Sequence, residues 1–165
     1  PTMTPSPTPD ILSETVSAVA IEADTMIQTP DGKVQVEIPA WSLPLSLANR
    51  QVQVAVKHLN PARLPPPPQG VSVVRGIELQ TLLDGQVNPV TYTQPVVVTL
   101  PMEAAELQQV GDISRIRAFR FNNRTNLWEV LPTSFVPQGA TGAVVTRTDR
   151  FSFIAVGTVP AGTAR

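Results

Sequence analysis

Cysteine is missing from this chain. Its absence excludes disulfide staples, zinc–thiolate sites and thiol nucleophiles together. Histidine is reduced to His58, so any Ser–His catalytic arrangement would have to use that one residue. Aromatic residues are 5% of the chain, which is thin provision for a sugar-stacking surface. No apolar run approaches the roughly 18 residues that a membrane-spanning helix needs, so the chain is expected not to span a membrane. No D-x-D-x-D-G calcium loop occurs; the closest acids are Glu22, Asp24 and Asp31. We expect no metal and no cofactor. Helical periodicity is equally scarce, with MEAAELQQV at 102–110 the single helix candidate.

What is present is a globular composition: 165 residues, 42% hydrophobic and 15% charged. A domain of this size buries about 70% of its unfolded surface and needs no staple. Net charge is −1, but it is split. Residues 1–114 hold five Lys/Arg against eleven Asp/Glu, a balance of −6, and residues 115–165 hold seven Arg against two acids, +5. Interleaved strands would disperse that split in space. No aromatic-rich basic motif accompanies the arginines, so a nucleic-acid partner is not expected.

Proline and threonine alternate in PTMTPSPTP at 1–9, an extended segment that reads as a linker. Period-two alternation follows. Val16, Val19 and Ile21 mark a first strand. Next come KVQVEI at 33–38, QVQVAV at 51–56, a strand over 71–79 and PVVVTL at 95–100. Two strands, 115–121 and 127–131, form a hairpin across 122–126. Segments 142–145 and 151–156 close the domain. The expectation is an all-β fold: a single antiparallel β-sandwich of about eight or nine strands with at most one short helix. Its predicted layout is a linker over 1–12, a sandwich over 13–157 and a tail over 158–165.

The order of segments resembles the ZU-type β-sandwich domain of zonula occludens proteins, netrin receptors, ankyrins and bacterial surface proteins. The matching stretches are GKVQVEIP at 32–39, TQPVVVTLP at 93–101, IRAFRF at 116–121 with a turn leading to Trp128, and RFSFIAV at 150–156. The resemblance covers roughly residues 30–157 and implies a ZU-like or immunoglobulin-like sandwich. Two positions depart from the family pattern: Ala40-Trp41 replaces Gly-Ala, and Arg150-Phe151-Ser152 replaces His-Phe-Ser. In some members that tripeptide cleaves itself before the serine, with histidine assisting proton transfer. Arg150 cannot take that part, because a guanidinium stays protonated near neutral pH.

Candidate contact residues are Trp41, placed among prolines after a strand, and Arg115 and Arg117, which share a strand face with Phe119 and Phe121. Trp128 is expected in the core. The proline run at 65–68 is expected either to stiffen a connection or to serve as an extended ligand for a partner's groove. His58 is expected at a strand rim with a hydrogen bond. The functional expectation is a non-catalytic structural or protein-interaction module of an exported bacterial surface protein, with a protein or polysaccharide partner. The alternatives are a carbohydrate-binding module using Trp41 and a domain cut between Phe151 and Ser152.

Overall fold

The computed structural model describes residues 10–160. The lead segment 1–9 and the last five residues lie outside the described residues. In chain order the strands are β1 (Ile11–Ala18), β2 (Thr25–Gln28), β3 (Gln35–Ile38), β4 (Val52–Leu59), β5 (Ser72–Leu83), β6 (Gln86–Val87), β7 (Thr91–Met102), β8 (Ile116–Asn122), β9 (Leu127–Leu131), β10 (Thr133–Gln138), β11 (Thr141–Arg150) and β12 (Phe153–Thr158). One α-helix, α1 (Ala104–Val110), interrupts them. A seven-stranded sheet runs β1-β4-β5-β12-β8-β9 with β6 paired to β5; a five-stranded sheet runs β10-β11-β7-β3-β2. Every pairing is antiparallel. The expected all-β sandwich is therefore present, with three more strands than the alternation suggests: β2, β6 and β10.

The core follows from parity. Val34, Val36 and Ile38, with Val96, Val98 and Leu100, face Val54, Val56, Ile77, Leu79, Ile154 and Val156 across the two sheets, and all are essentially inaccessible. β1 departs from its expected pattern. It pairs Thr15 with Val56 and Ser17 with Val54, so small polar residues face inward and Val16 is exposed. Burial returns at Val19 and Ile21, past the strand's end.

The seven-stranded sheet is covered on its outer face as well. Cross-strand register aligns Leu59, Gly76, Ala155 and Phe119 in one outward row, yet Leu59, Ala155 and Phe119 are buried. The loop after β4 crosses over them. Leu64 rests on Gly76, where an added Cβ would meet Leu64 Cδ1 at 3.0 Å. Beyond it, the Pro66 carbonyl accepts a 2.7 Å hydrogen bond from Trp128 Nε1 on β9. The proline run 65–68 is thus held against the chain's own sheet. Its stiffness lowers the entropy lost on docking. Trp128 is not in the inter-sheet core as expected. It points outward, edge-on to Phe121 with centroids 5.2 Å apart, because its register with Phe121 puts it on the outer face of β9, where the loop reaches it while Val130 on the same face stays exposed.

At one end of the sandwich α1 is fixed by a buried ion pair. Arg75, 2% exposed, points inward from β5. Its Nη1 donates to the carbonyls of Lys33 and Pro101, at 2.9 and 3.0 Å, and its Nη2 pairs with Glu106. Glu103 and Glu106 form a reciprocal cap on the first turn of α1. The opposite end is left open.

Candidate functional site

The open end holds a cleft of about 620 Å³. Its origin is a gap in the seven-stranded sheet. β12 stops pairing with β5 at Phe153 and Glu78, and β6 begins pairing only at Val87 and Leu82. Between these points no strand lies against residues 79–81 on the edge of β5 that faces away from β4; on the other edge β4 pairs with all three. The edges are tied down instead: Leu79 N–H donates to the Ser152 carbonyl at 3.0 Å, and Asn88 N–H to the Thr81 carbonyl at 2.9 Å. The walls are the β6–β7 loop, the β8–β9 turn and the β11–β12 corner.

Each wall is held by local chemistry. In the β8–β9 turn, Asn122 Oδ1 accepts from the backbone N–H groups of Arg124 and Thr125, at 2.9 and 3.3 Å. Asn126 takes a left-handed φ of 59°, which asparagine tolerates. In the corner, a register shift separates Thr148 from Arg150. Thr148 Oγ1 donates to the Arg150 carbonyl at 2.7 Å and accepts from its N–H at 3.3 Å. Bulges of this sort re-aim side chains, and here the turn sends Arg150 to the exposed surface. Phe151 goes inward and packs on Tyr92, centroids 4.7 Å apart. Tyr92 is bonded to Thr81 at 2.9 Å, and burial pushes its hydroxyl pKa up to about 12.

Arg120 clamps the walls together. It donates to Glu129 Oε1 at 2.8 Å, to Thr148 Oγ1 at 3.0 Å and to Asp149 Oδ1 at 3.2 Å. The hydrogen bond from Arg120, a second from Asn122 and the charges of Arg120 and Arg150 hold the Glu129 carboxyl below its ordinary range. The other cleft carboxylate, Glu78, is paired with Lys57 at 3.6 Å. Both cleft acids are therefore neutralised by cations at or beside the cleft. Arg124 and Arg150 are not: among the described residues neither guanidinium has a hydrogen bond or salt bridge. The Ser152 hydroxyl is buried and likewise has no hydrogen-bond partner.

Both cleft carboxylates are ion-paired, while two of its arginines are not. The cleft lining contains no histidine. His58 is bound through Nδ1 to Asp31 at 2.6 Å, at the rim of β4. Glu129, ion-paired and acidified, is a weak base. No cluster of metal-ligating side chains occurs among the described residues, and no described helix is long and apolar enough to cross a membrane.

The sequence-derived candidates separate into three places. Arg150, Phe151 and Ser152 lie together in the cleft. Trp41 sits at the same end outside the lining, 57% exposed and with a left-handed φ of 64°. Its backbone is fixed by Trp41 N–H to the Ile21 carbonyl at 2.7 Å and by Thr93 Oγ1 to the Trp41 carbonyl at 2.9 Å. Arg115 and Arg117 lie at the far end of β8, away from the cleft. Arg117 is occupied with the carbonyls of Ser114 and Ile116, both at 2.7 Å. The strand pattern did not single out Arg120 or Arg124 as functional. A signal for Arg120 existed, since parity places it inward with Ile116 and Ala118, where a charge demands a partner. No family model matches the chain and no curated protein matches it.

Proposed function

We propose that the chain is a non-catalytic protein-interaction module that takes its ligand at the open end of the sandwich. The observation that carries this reading is the charge state of the cleft: both acids are already paired, while two arginines and one hydroxyl are unengaged. Groups arranged for catalysis have tuned, available proton acceptors; this cleft has available donors. The segment order resembling ZU-type domains and the Pro/Thr-rich lead at 1–9 support placement in an exported bacterial surface protein. Panning a random-peptide phage library on the immobilised domain tests the binding reading. Enrichment of peptides displaced by soluble domain is expected. An unenriched pool, or a demonstrated turnover, would overturn it. Intact-mass analysis should return one full-length species, because Arg150 supplies no base; fragments meeting at Ser152 would restore the self-cleaving alternative.

A second reading has its own observation. Trp41 is a bulky residue held exposed in a backbone region that costs about 1–3 kcal/mol for non-glycine residues, as a sugar-stacking platform would be. A glycan array probed with the parent and with Trp41→Ala tests it. A signal lost in the variant supports a carbohydrate ligand; equal signals, or none, remove it.

A further inference from the structure

We infer that the cleft is built for an acidic peptide segment in extended conformation, with a side-chain carboxylate held between Arg124 and Arg150. This deepens the protein-interaction reading and rests on it. The argument begins from charge. The lining holds Arg120, Arg124 and Arg150 against Glu78 and Glu129. Glu78 pairs with Lys57 outside it, and Arg120 is shared by Glu129 and Asp149. The cleft therefore keeps a net positive charge, and its two arginines without an ion pair are Arg124 and Arg150. Guanidinium groups hold carboxylates through paired N–H donors, and such charge-assisted bonds are about twice as strong as neutral ones. Neither guanidinium is in a hydrogen bond or salt bridge among the described residues, so binding breaks none, though the charge of Arg150 also acts on Glu129.

Shape gives the second part. Residues 79–81 of β5, paired with β4 on one edge, form the floor where two strands on the other edge stop short of each other. On that edge the Leu79 N–H and the Thr81 carbonyl are already bonded, which leaves the Leu79 carbonyl and the Thr81 N–H for one residue of an extended chain, the way sheet edges recruit peptides. Val87, Val90, Phe121 and Phe153 line the same cleft, and they suit an apolar residue flanking the acid. A volume of about 620 Å³ lies in the range of formed ligand sites and takes two or three side chains. A glycan would gain little from such a strand edge, which favours the peptide.

The test uses two capped synthetic peptides, VEFEV and VQFQV, titrated into ¹⁵N-labelled domain. The acidic peptide should shift the amides of residues 79–81, Arg124 and Ser152, and VQFQV should bind about tenfold more weakly or less. Arg124→Ala and Arg150→Ala should each weaken VEFEV by about tenfold. Both side chains are exposed and unbonded, so unfolding midpoints should stay at the parent value. Raising the salt concentration should weaken binding further. Equal binding of VQFQV would overturn the acidic preference while leaving the binding-module reading intact. Absence of cleft shifts with VEFEV would overturn the site. Shifts with trigalacturonate but not with VEFEV would overturn the peptide class in favour of an acidic glycan.

Discussion

At the residue scale, Trp41 is the bulkiest of the three described non-glycine residues with a left-handed φ. Trp41 occupies left-handed backbone with φ 64°, and two hydrogen bonds to neighbouring segments keep it there. Replacing it by Ala and by Gly removes the ring equally, but only Gly takes this conformation without strain. Trp41→Gly should therefore be more stable than Trp41→Ala by about 1 kcal/mol in urea denaturation, even though glycine loses more entropy on folding. Equal stability would mean that the turn relaxes when the ring is gone. The sequence showed that Trp41 stood outside a strand, but it could not show this φ, which is imposed by Ile21 and Thr93 from distant segments. The corner residues were more readable. Arg150, Phe151 and Ser152 drew attention through a known tripeptide pattern, and the fold does put them in the cleft. Arg124 was not readable as a cleft residue, because the β8–β9 turn reaches the corner only through the sheet order β12-β8-β9.

At the scale of elements, β3, β4, β7 and β12 were readable because each buries alternate aliphatic residues. β1 was misleading: Ser13, Thr15 and Ser17 take the inward positions. β10 contains Pro137, which argues against a strand, yet an edge strand accepts it. Long-range clamps were invisible for the same reason as Arg124. The Arg75–Glu106 pair joins β5 to α1 across 31 positions. Arg75 is buried, so deleting its partner leaves a charge without its counter-ion. Glu106→Ala should cost about 3 kcal/mol, read from urea unfolding, whereas Glu103→Ala, which removes one cap and an exposed contact to Lys33, should cost about 1 kcal/mol. Similar losses in both variants would show that the carbonyls of Lys33 and Pro101 suffice for Arg75. On the outer face, Trp128→Phe deletes the bond to Pro66 and keeps most of the ring. A loss of about 1 kcal/mol with faster proteolysis at 64–70 is expected; unchanged proteolysis would mean that Leu64 on Gly76 alone anchors the loop.

At the scale of the whole molecule, the split charge of the sequence resolves into separate sites rather than one basic face. Arg120, Arg124 and Arg150 gather at the cleft, while Arg115 and Arg117 belong to the α1 end. The acids are correspondingly engaged, and this has a consequence for acid stability. Burial pushes the Glu106 carboxyl up, but the Arg75 hydrogen bond, the Glu103 N–H and the charges of Arg75 and Lys33 outweigh it and hold the group below its ordinary 4.5. Asp31 behaves alike: burial raises it, and bonds from His58, Thr29 and the Lys33 N–H bring it below 3.8. A carboxyl with a folded pKa below its unfolded value binds fewer protons when folded. Its stabilisation is complete above the unfolded pKa and is lost as pH falls through the folded one. Stability set by these groups should therefore be level above about pH 5 and decline below about pH 4. Glu106→Gln supplies the control. It should be less stable than the parent at pH 7 and should lose less between pH 5 and 3, because one of the protons that drives acid unfolding has been removed. Parallel pH profiles for the two proteins would show that the Arg75–Glu106 pair does not contribute to acid unfolding.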